Sequence, residues 1–471
     1  MARREALREY ASGALWVLPS VSALAALVAG YAVSHIDIGP DSPLAPLAFQ
    51  GTADDARALL AGVTGTVVTV IALVLGLTVV ALQLSSTQFS PRLLRNFLRD
   101  RPNQFVLSVF VATFVYAASG LFTVGVASGA RTEAYPRLAV TGAIVLLFAT
   151  LGMVVFFADH LAHSIQIDAI MRVVESGTLR VIQGKHGTFE EAPPAVPEWA
   201  VPLMAARSGY VQTAHPDKIL PLAVTHGVCV LLRPRVGEHV VAGTTLAWIW
   251  RPSPDDPAPD SRPFQQSIHA TVRIGFERTL EQDAGFGIRQ LVDVACKALS
   301  PAVNDPYTAI QAIDHLSVIF CALAGRPLGS TVARDPDGRG AVIVPGRRFG
   351  EHLAIMCGLI RRYGTREPTV ALALLRLLDN CAAVVRDPAV LAAIDDQAGL
   401  VLADAEREVA QPVDVAAVRT ATDALQQSVR LRTGMIVGTH HDDASRSRSP
   451  QPFGQSSGDT SLDASGADGA S

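Results

Sequence analysis

Leu59-Leu-Ala-Gly-Val-Thr-Gly-Thr-Val-Val-Thr-Val-Ile-Ala-Leu-Val-Leu-Gly-Leu-Thr-Val-Val-Ala-Leu-Gln-Leu84 contains no acidic or basic side chain. As a helix it is long enough to cross a hydrocarbon layer of about 30 Å. Three further uncharged apolar runs flank it, at Ala14–Val33, Phe105–Ala127 and Leu138–Phe157. A soluble helix of this length normally turns one face to water and carries charges there. The first third of the chain therefore reads as an α-helical polytopic membrane bundle of four transmembrane helices, residues 1–164.

Charge between these runs sets the expected orientation. Arg3, Arg4 and Arg8 precede the first span, and Arg92, Arg95, Arg99 and Arg101 follow the second. The loop after the first span is acidic, with Asp37, Asp41, Asp54 and Asp55 against Arg57. Positive loops remain on the cytoplasmic side, so both termini are expected inside a bacterial cytoplasmic (inner) membrane. The first run is long for a signal-peptide core, and Gly30–Val33 offers no small-residue cleavage pattern.

On the second span Ala61, Gly65, Thr69, Ala72 and Gly76 recur at helical spacing, and Gln83 continues their face. Small residues allow close helix approach, within one subunit or between copies. The same face suits the lining of a wet pore. Ser90-Pro91 then opens a short arginine-rich amphipathic helix suited to the inner leaflet. Asp159, His160 and His163 close the fourth span, either as an interfacial charge cluster or as a metal- or pH-responsive group.

The rest of the chain reads as an α+β cytoplasmic region. A helical stalk and proline-rich linker occupy 165–202. Short strand patterns at Gly209–Gln212, Val228–Leu232, His239–Val241 and Leu246–Trp250 predict a small β-barrel-like module over 203–252. Lys218 is its only lysine and lies outside any carrier-type hairpin, so the module reads as structural. A mainly helical unit follows over 263–440. Its expected helices are Phe286–Leu299, Glu351–Tyr363, Pro368–Val385, Ala389–Val409 and Val413–Arg432, with a further helix opened by Asp305-Pro306 and a hairpin around Asp335-Pro-Asp-Gly338. From 441 to 471 the chain is poor in large apolar residues and is expected to be disordered.

Three motifs stand out: Gln88-Phe-Ser-Pro-Arg92, Glu277-Arg-Thr with Gln282-Asp283, and Ala298-Leu-Ser-Pro with Asn304-Asp-Pro-Tyr-Thr-Ala309. On these the chain resembles the bacterial membrane proteins grouped as domain of unknown function 2254. The resemblance runs from the first span to about Gly434 and implies membrane placement and a common architecture, with no reaction or catalytic residue to carry over.

Arg278, Glu281, Gln282, Asp283, Asn304 and Asp305 form a candidate polar site, either a pocket for a small solute or a cap and ion-pair network between two helices. No phosphate-binding loop, nucleophile elbow or other complete catalytic signature occurs, and no cofactor or metal is called for. The five cysteines are odd in number and unpaired by spacing, which suits reduced thiols. A net charge of −4 without a basic patch gives nucleic acid nothing to bind. The expected partners are the lipid bilayer and further copies of the chain. Two functional classes remain open: a membrane-anchored sensor or scaffold, and a channel-like assembly for ions or small solutes. An enzyme is not indicated.

Overall fold

The computed structural model describes residues 16–36, 45–88, 101–124, 135–164, 166–184, 188–190 and 192–446. The N-terminal arginines, the whole segment 89–100 with its expected amphipathic helix, and Arg131 lie outside the described residues. So does 447–471 of the expected disordered tail.

Four long apolar helices open the fold: α1 (Val17–Ser34), α2 (Ala53–Gln88), α3 (Arg101–Val124) and α4 (Arg137–Ser164). Helix α3 packs against the other three. Its buried residues Val106, Phe110, Thr113, Ala117, Gly120 and Val124 alternate by four and three, which holds one stripe inward. Close approach depends on small residues. A side chain added at Gly30 would start 3.0 Å from the Ser119 hydroxyl, and one at Gly142 would run into the Tyr116 ring. Thr113 and Thr150 share a hydrogen bond of 3.0 Å between α3 and α4. In lipid, where apolar association gains little, such packing and interhelical hydrogen bonds hold helices together.

The outer surface of this bundle is apolar. Leu24 and Val28 on α1, Leu73 and Val79 on α2, and Phe148, Leu151 and Val155 on α4 are all exposed. This inverts the pattern of a soluble bundle.

By length and apolarity a fifth helix, Pro306–Ala324, qualifies as a span, one more than the sequence reading counted. Its setting differs from that of the others. Ala309, Ile313, Leu316, Phe320 and Leu323 are buried in a core shared with the C-terminal helices. Asp314 pairs with Arg376 at 2.6 Å, and His315 with Glu175 at 2.5 Å.

Helix α5 (Ile167–Gly184) follows α4 across residues 165 and 166. Beyond it lie β1 (Thr188–Glu190), β2 (Val201–Met204), β3 (Gly209–Ala214), α6 (Pro216–His226), β4 (Cys229–Leu232), β5 (His239–Val240), β6 (Thr245–Trp250), α7 (Ser261–Thr271) and β7 (Val272–Gly275). Next come α8 (Ala284–Ala298), α9 (Pro306–Ala324), β8 (Ser330–Arg334), β9 (Ala341–Val344), α10 (Phe349–Gly364), α11 (Pro368–Val384), α12 (Pro388–Glu408) and α13 (Pro412–Arg446). The last of these carries helix past the expected start of the tail at 441.

The barrel-like module is not formed. Its strands divide between two open sheets, one ordered β1-β8-β9-β4-β6-β2 and one ordered β5-β3-β7. The physical reason is that β4 takes β9, from far along the chain, as a parallel neighbour, so the segment 203–252 cannot close on itself. The sheets and helices α6 and α7 share a core of Leu203, Val211, Ile219, Val230, Ile249, Phe264 and Ile268. The hairpin predicted around Asp335–Gly338 is present as β8 and β9.

Helix α5 joins α8–α13 in a second, all-helical core. The Glu175–His315 pair and the Arg326 guanidinium donating to the Ile182 carbonyl at 2.9 Å run α9 parallel to α5. Gly287 closes onto Thr178, and α8 runs back antiparallel to α9. The helical unit thus has two ends. One meets the sheets; the other gathers the α8–α9 turn and the start of α5, two residues after α4.

The glycines give a direct check of the bundle. Gly142→Val should overpack the Tyr116 contact and cost about 1–3 kcal/mol. Gly152→Val should be tolerated, since a side chain there meets nothing within 4 Å. Thermal unfolding of both variants in detergent separates the two outcomes.

Candidate functional site

Where the helical unit meets the sheets, a cleft of about 880 Å³ opens. Its walls come from the second half of α5, the start of α6, the loop Leu280–Gly285, the segment Arg326–Gly329, and residues around Arg347 and His352. Polar residues from separated segments converge here, which is the usual architecture of a solute site.

The loop before α8 is fixed by charge. Arg278 donates from Nε and Nη2 to Asp283 Oδ2 at 2.9 and 2.7 Å. Asp283 is 4% exposed at its side chain, and its Oδ1 accepts from the Phe286 backbone N–H at 3.2 Å, capping α8. The Arg278 guanidinium also lies over the Phe286 ring. Gly237 has φ +88°, and a side chain there would strike the Asp283 carboxylate, so the turn requires glycine. Gln282 Oε1 accepts from the Ala214 N–H at 2.9 Å, and Gln212 Nε2 donates to the Glu277 carbonyl at 2.8 Å. Glu281 pairs with Arg273. The loop is therefore stitched to strand β3 and to its own helix.

Opposite, Arg347 and His352 come within 3.4 Å of where a Gly285 side chain would begin. Arg235 pairs with Glu351 at 2.9 Å. Burial alone would raise the Glu351 pKa, but the Arg348 backbone N–H and the Arg235 guanidinium hold it below the usual carboxylate range. Burial, with Lys218 and Arg273 nearby, lowers the pKa of His215 on the cleft wall. Arg180, Arg235, Arg326 and Arg347 line the cleft with His215, His352 and the carboxylates of Asp217 and Glu281, and the guanidinium groups can bind polar or anionic groups by charge-assisted hydrogen bonds.

The six residues of the predicted polar site are not brought together. Glu281, Gln282 and Asp283 line the cleft, and Arg278 braces Asp283. Asn304 and Asp305 lie at the opposite end of α8, about 22 Å away along its 15 residues. Asn304 adopts φ 50°, and Asp305 caps α9 by accepting from the Thr308 N–H and hydroxyl at 3.1 and 2.5 Å. Those hydrogen bonds lower the Asp305 pKa. The second-span face is outward: Ala61, Gly65, Thr69, Ala72, Gly76 and Gln83 are all exposed. His163 lies 3.4 Å from Asp159 within one exposed helical turn. Sequence reading missed Arg180, His215, Arg235, Arg326, Arg347 and His352. They sit on separate segments without a shared motif, and only the first-turn proline after His215 marked a helix start there.

A chain of apolar helices followed by an α/β region with a polar cleft defines a membrane protein. The protein belongs to the DUF2254 family of predicted membrane proteins, whose model matches residues 12–380. It is 44% identical over 422 residues to uncharacterised proteins of Mycobacterium bovis and of Mycobacterium tuberculosis strain H37Rv, covering 88% of this chain and 81% of each relative. No solved structure matches the chain.

Arg278→Ala should leave a nearly buried carboxylate without its partner and destabilise the fold by about 1–3 kcal/mol, read as a lower unfolding temperature. Asp305 contributes through its lowered pKa, so its stabilisation is full above the ordinary carboxylate value and fades as pH falls through the folded value. Asp305→Asn should keep the cap at neutral pH and flatten this acid-side dependence in thermal melts between pH 7 and pH 3.

Proposed function

We propose that the protein is a multi-pass inner-membrane sensor, anchored by α1–α4, whose cytoplasmic α/β region binds a small polar solute in the cleft. One observation carries the reading. Helix α5 is a wall of the cleft and also the next element of the chain after α4, two residues on. A solute that favours one position of α5 can bias α4 by at most its difference in binding free energy between the two positions. The arginine-rich segments before the first span and after the second support a cytoplasmic placement. The burial and ion pairs of α9 support four spans and leave that helix in the α/β region.

Self-association is part of the proposal. The small-residue face of α2 has no partner among the described residues, and side chains added at Gly62, Gly65 or Gly76 would meet nothing within 4 Å. Faces of this kind let two backbones approach in lipid. The same outward face supports a second reading, in which several copies set it around an axis and pass ions or small solutes. Conductance in planar bilayers, lost in Gly65→Leu, would favour that reading over simple sensing.

The sensor reading is tested by thermal shift of the full-length protein in nanodiscs against nucleotides, amino acids and phosphorylated sugars. One class should raise the unfolding temperature, as expected for about 2.7 kcal/mol at a hundred times Kd, and Arg347→Ala should abolish the shift. A flat response to every class, or a shift indifferent to both Arg347→Ala and His352→Ala, counts against the cleft. Gly65→Leu should leave the subunit fold unchanged while lowering the oligomer mass seen by native mass spectrometry.

A further inference from the structure

The end of the helical unit remote from the cleft exposes apolar and aromatic side chains: Tyr307 is 80% exposed, Tyr363 54% and Val303 46%. Their position follows from helix register. The contacts Glu175–His315 and Ile182–Arg326 hold α9 parallel to α5, and continued back along both helices they bring Tyr307 level with Ile167. Gly364 packs against Leu299 and Val370, which places Tyr363 at the same end. Ile167 follows Phe157, the end of the uncharged run in α4, by at most about 20 Å of helix and turn.

We infer that this end, formed by the α8–α9 turn and the C-terminus of α10, rests on the headgroup layer of the membrane that α4 crosses. The chemistry fits a lipid surface. Tyrosine combines an apolar ring with a hydroxyl and is enriched at bilayer interfaces. Lys297 and Arg362 are exposed at the same end and can meet lipid phosphate. Val303 and Tyr307 present apolar surface where water gains nothing, beside the point at which the chain leaves the bilayer. The contact would fix how the helical unit stands on the membrane, and so how a displacement of α5 reaches α4.

The inference rests on α4 being a membrane span, and the experiment separates the two. A photoreactive p-benzoylphenylalanine is placed at Tyr307, Val303, Phe276 or Val155 in the full-length protein, reconstituted in vesicles of phosphatidylethanolamine and phosphatidylglycerol. Phe276 is exposed in the loop before α8, at the other end of the helical unit, and Val155 faces outward on α4. Lipid labelling at 307 and 303 several-fold above 276, with strong labelling at 155, is the expected result. Labelling at 155 but not at 307 and 303, equal labelling at 276, or cross-linking of 307 to a second copy overturns the surface contact while leaving the span intact. Absence of labelling at 155 overturns the span itself.

Discussion

The apolar outer faces of α1–α4 constrain everything else. Leu24, Leu73, Phe148 and Val155 point away from the bundle, and only a hydrocarbon solvent accommodates such a surface without cost. Inside the bundle the hydrophobic effect adds little, so cohesion falls to close contacts such as Gly30 on Ser119 and to the Thr113–Thr150 hydrogen bond. Helical hydroxyls also settle their own polarity: Thr64, Thr69 and Thr78 each donate to the carbonyl four residues earlier. The α2 face can therefore stand outward in lipid or against another copy without stranded donors at those positions.

The α/β region obeys a different rule, because its core forms by exclusion of water. Helix α5 shows the change at once. It presents Met171, Val174, Thr178 and Ile182 inward at helical spacing and polar residues outward. Charge then fixes what burial leaves undecided. The Arg278–Asp283 pair, the cap on α8 and the glycine at 237 form one mutually dependent cluster, in which each member sets the geometry of the next. Such a cluster is a positioning device for the cleft: it holds the N-terminus of α8, and hence Gly285, against Arg347 and His352.

Much of the helical architecture was legible in the sequence, because each helix carries its own signal. The uncharged runs gave α1–α4, and Asp305-Pro306 marked the start of α9 through a cap and a first-turn proline. Sheet topology was not legible, since the pairing of Cys229–Leu231 with Ala341–Ile343 joins segments separated by the whole α8–α9 hairpin. Helix α7 is absent from the helices expected of the 263–440 unit, although Asp260 caps it and Phe264 and Ile268 share its buried face. The Glu281–Asp283 edge of the cleft was legible because its motif is contiguous. The arginine and histidine half was not, because proximity there is a product of tertiary packing.

The separation of Asp283 from Asp305 clarifies why the polar residues around α8 fell into one sequence pattern. Both cap helices, and a cap needs an acceptor whose geometry is set locally. Asp305 meets that need within the first turn of its own helix, at Tyr307 and Thr308. Asp283 meets it too, but its second oxygen is committed to Arg278, and the pair is held under the turn at Gly237 from a different sheet segment. One aspartate is thus a local start signal, while the other ties the helix start to the sheets that form the opposite wall. A solute in the cleft would press on the second kind of cap and leave the first untouched. Because α8 packs along α5, displacement of its N-terminus has a direct mechanical route to the helix that continues from the membrane.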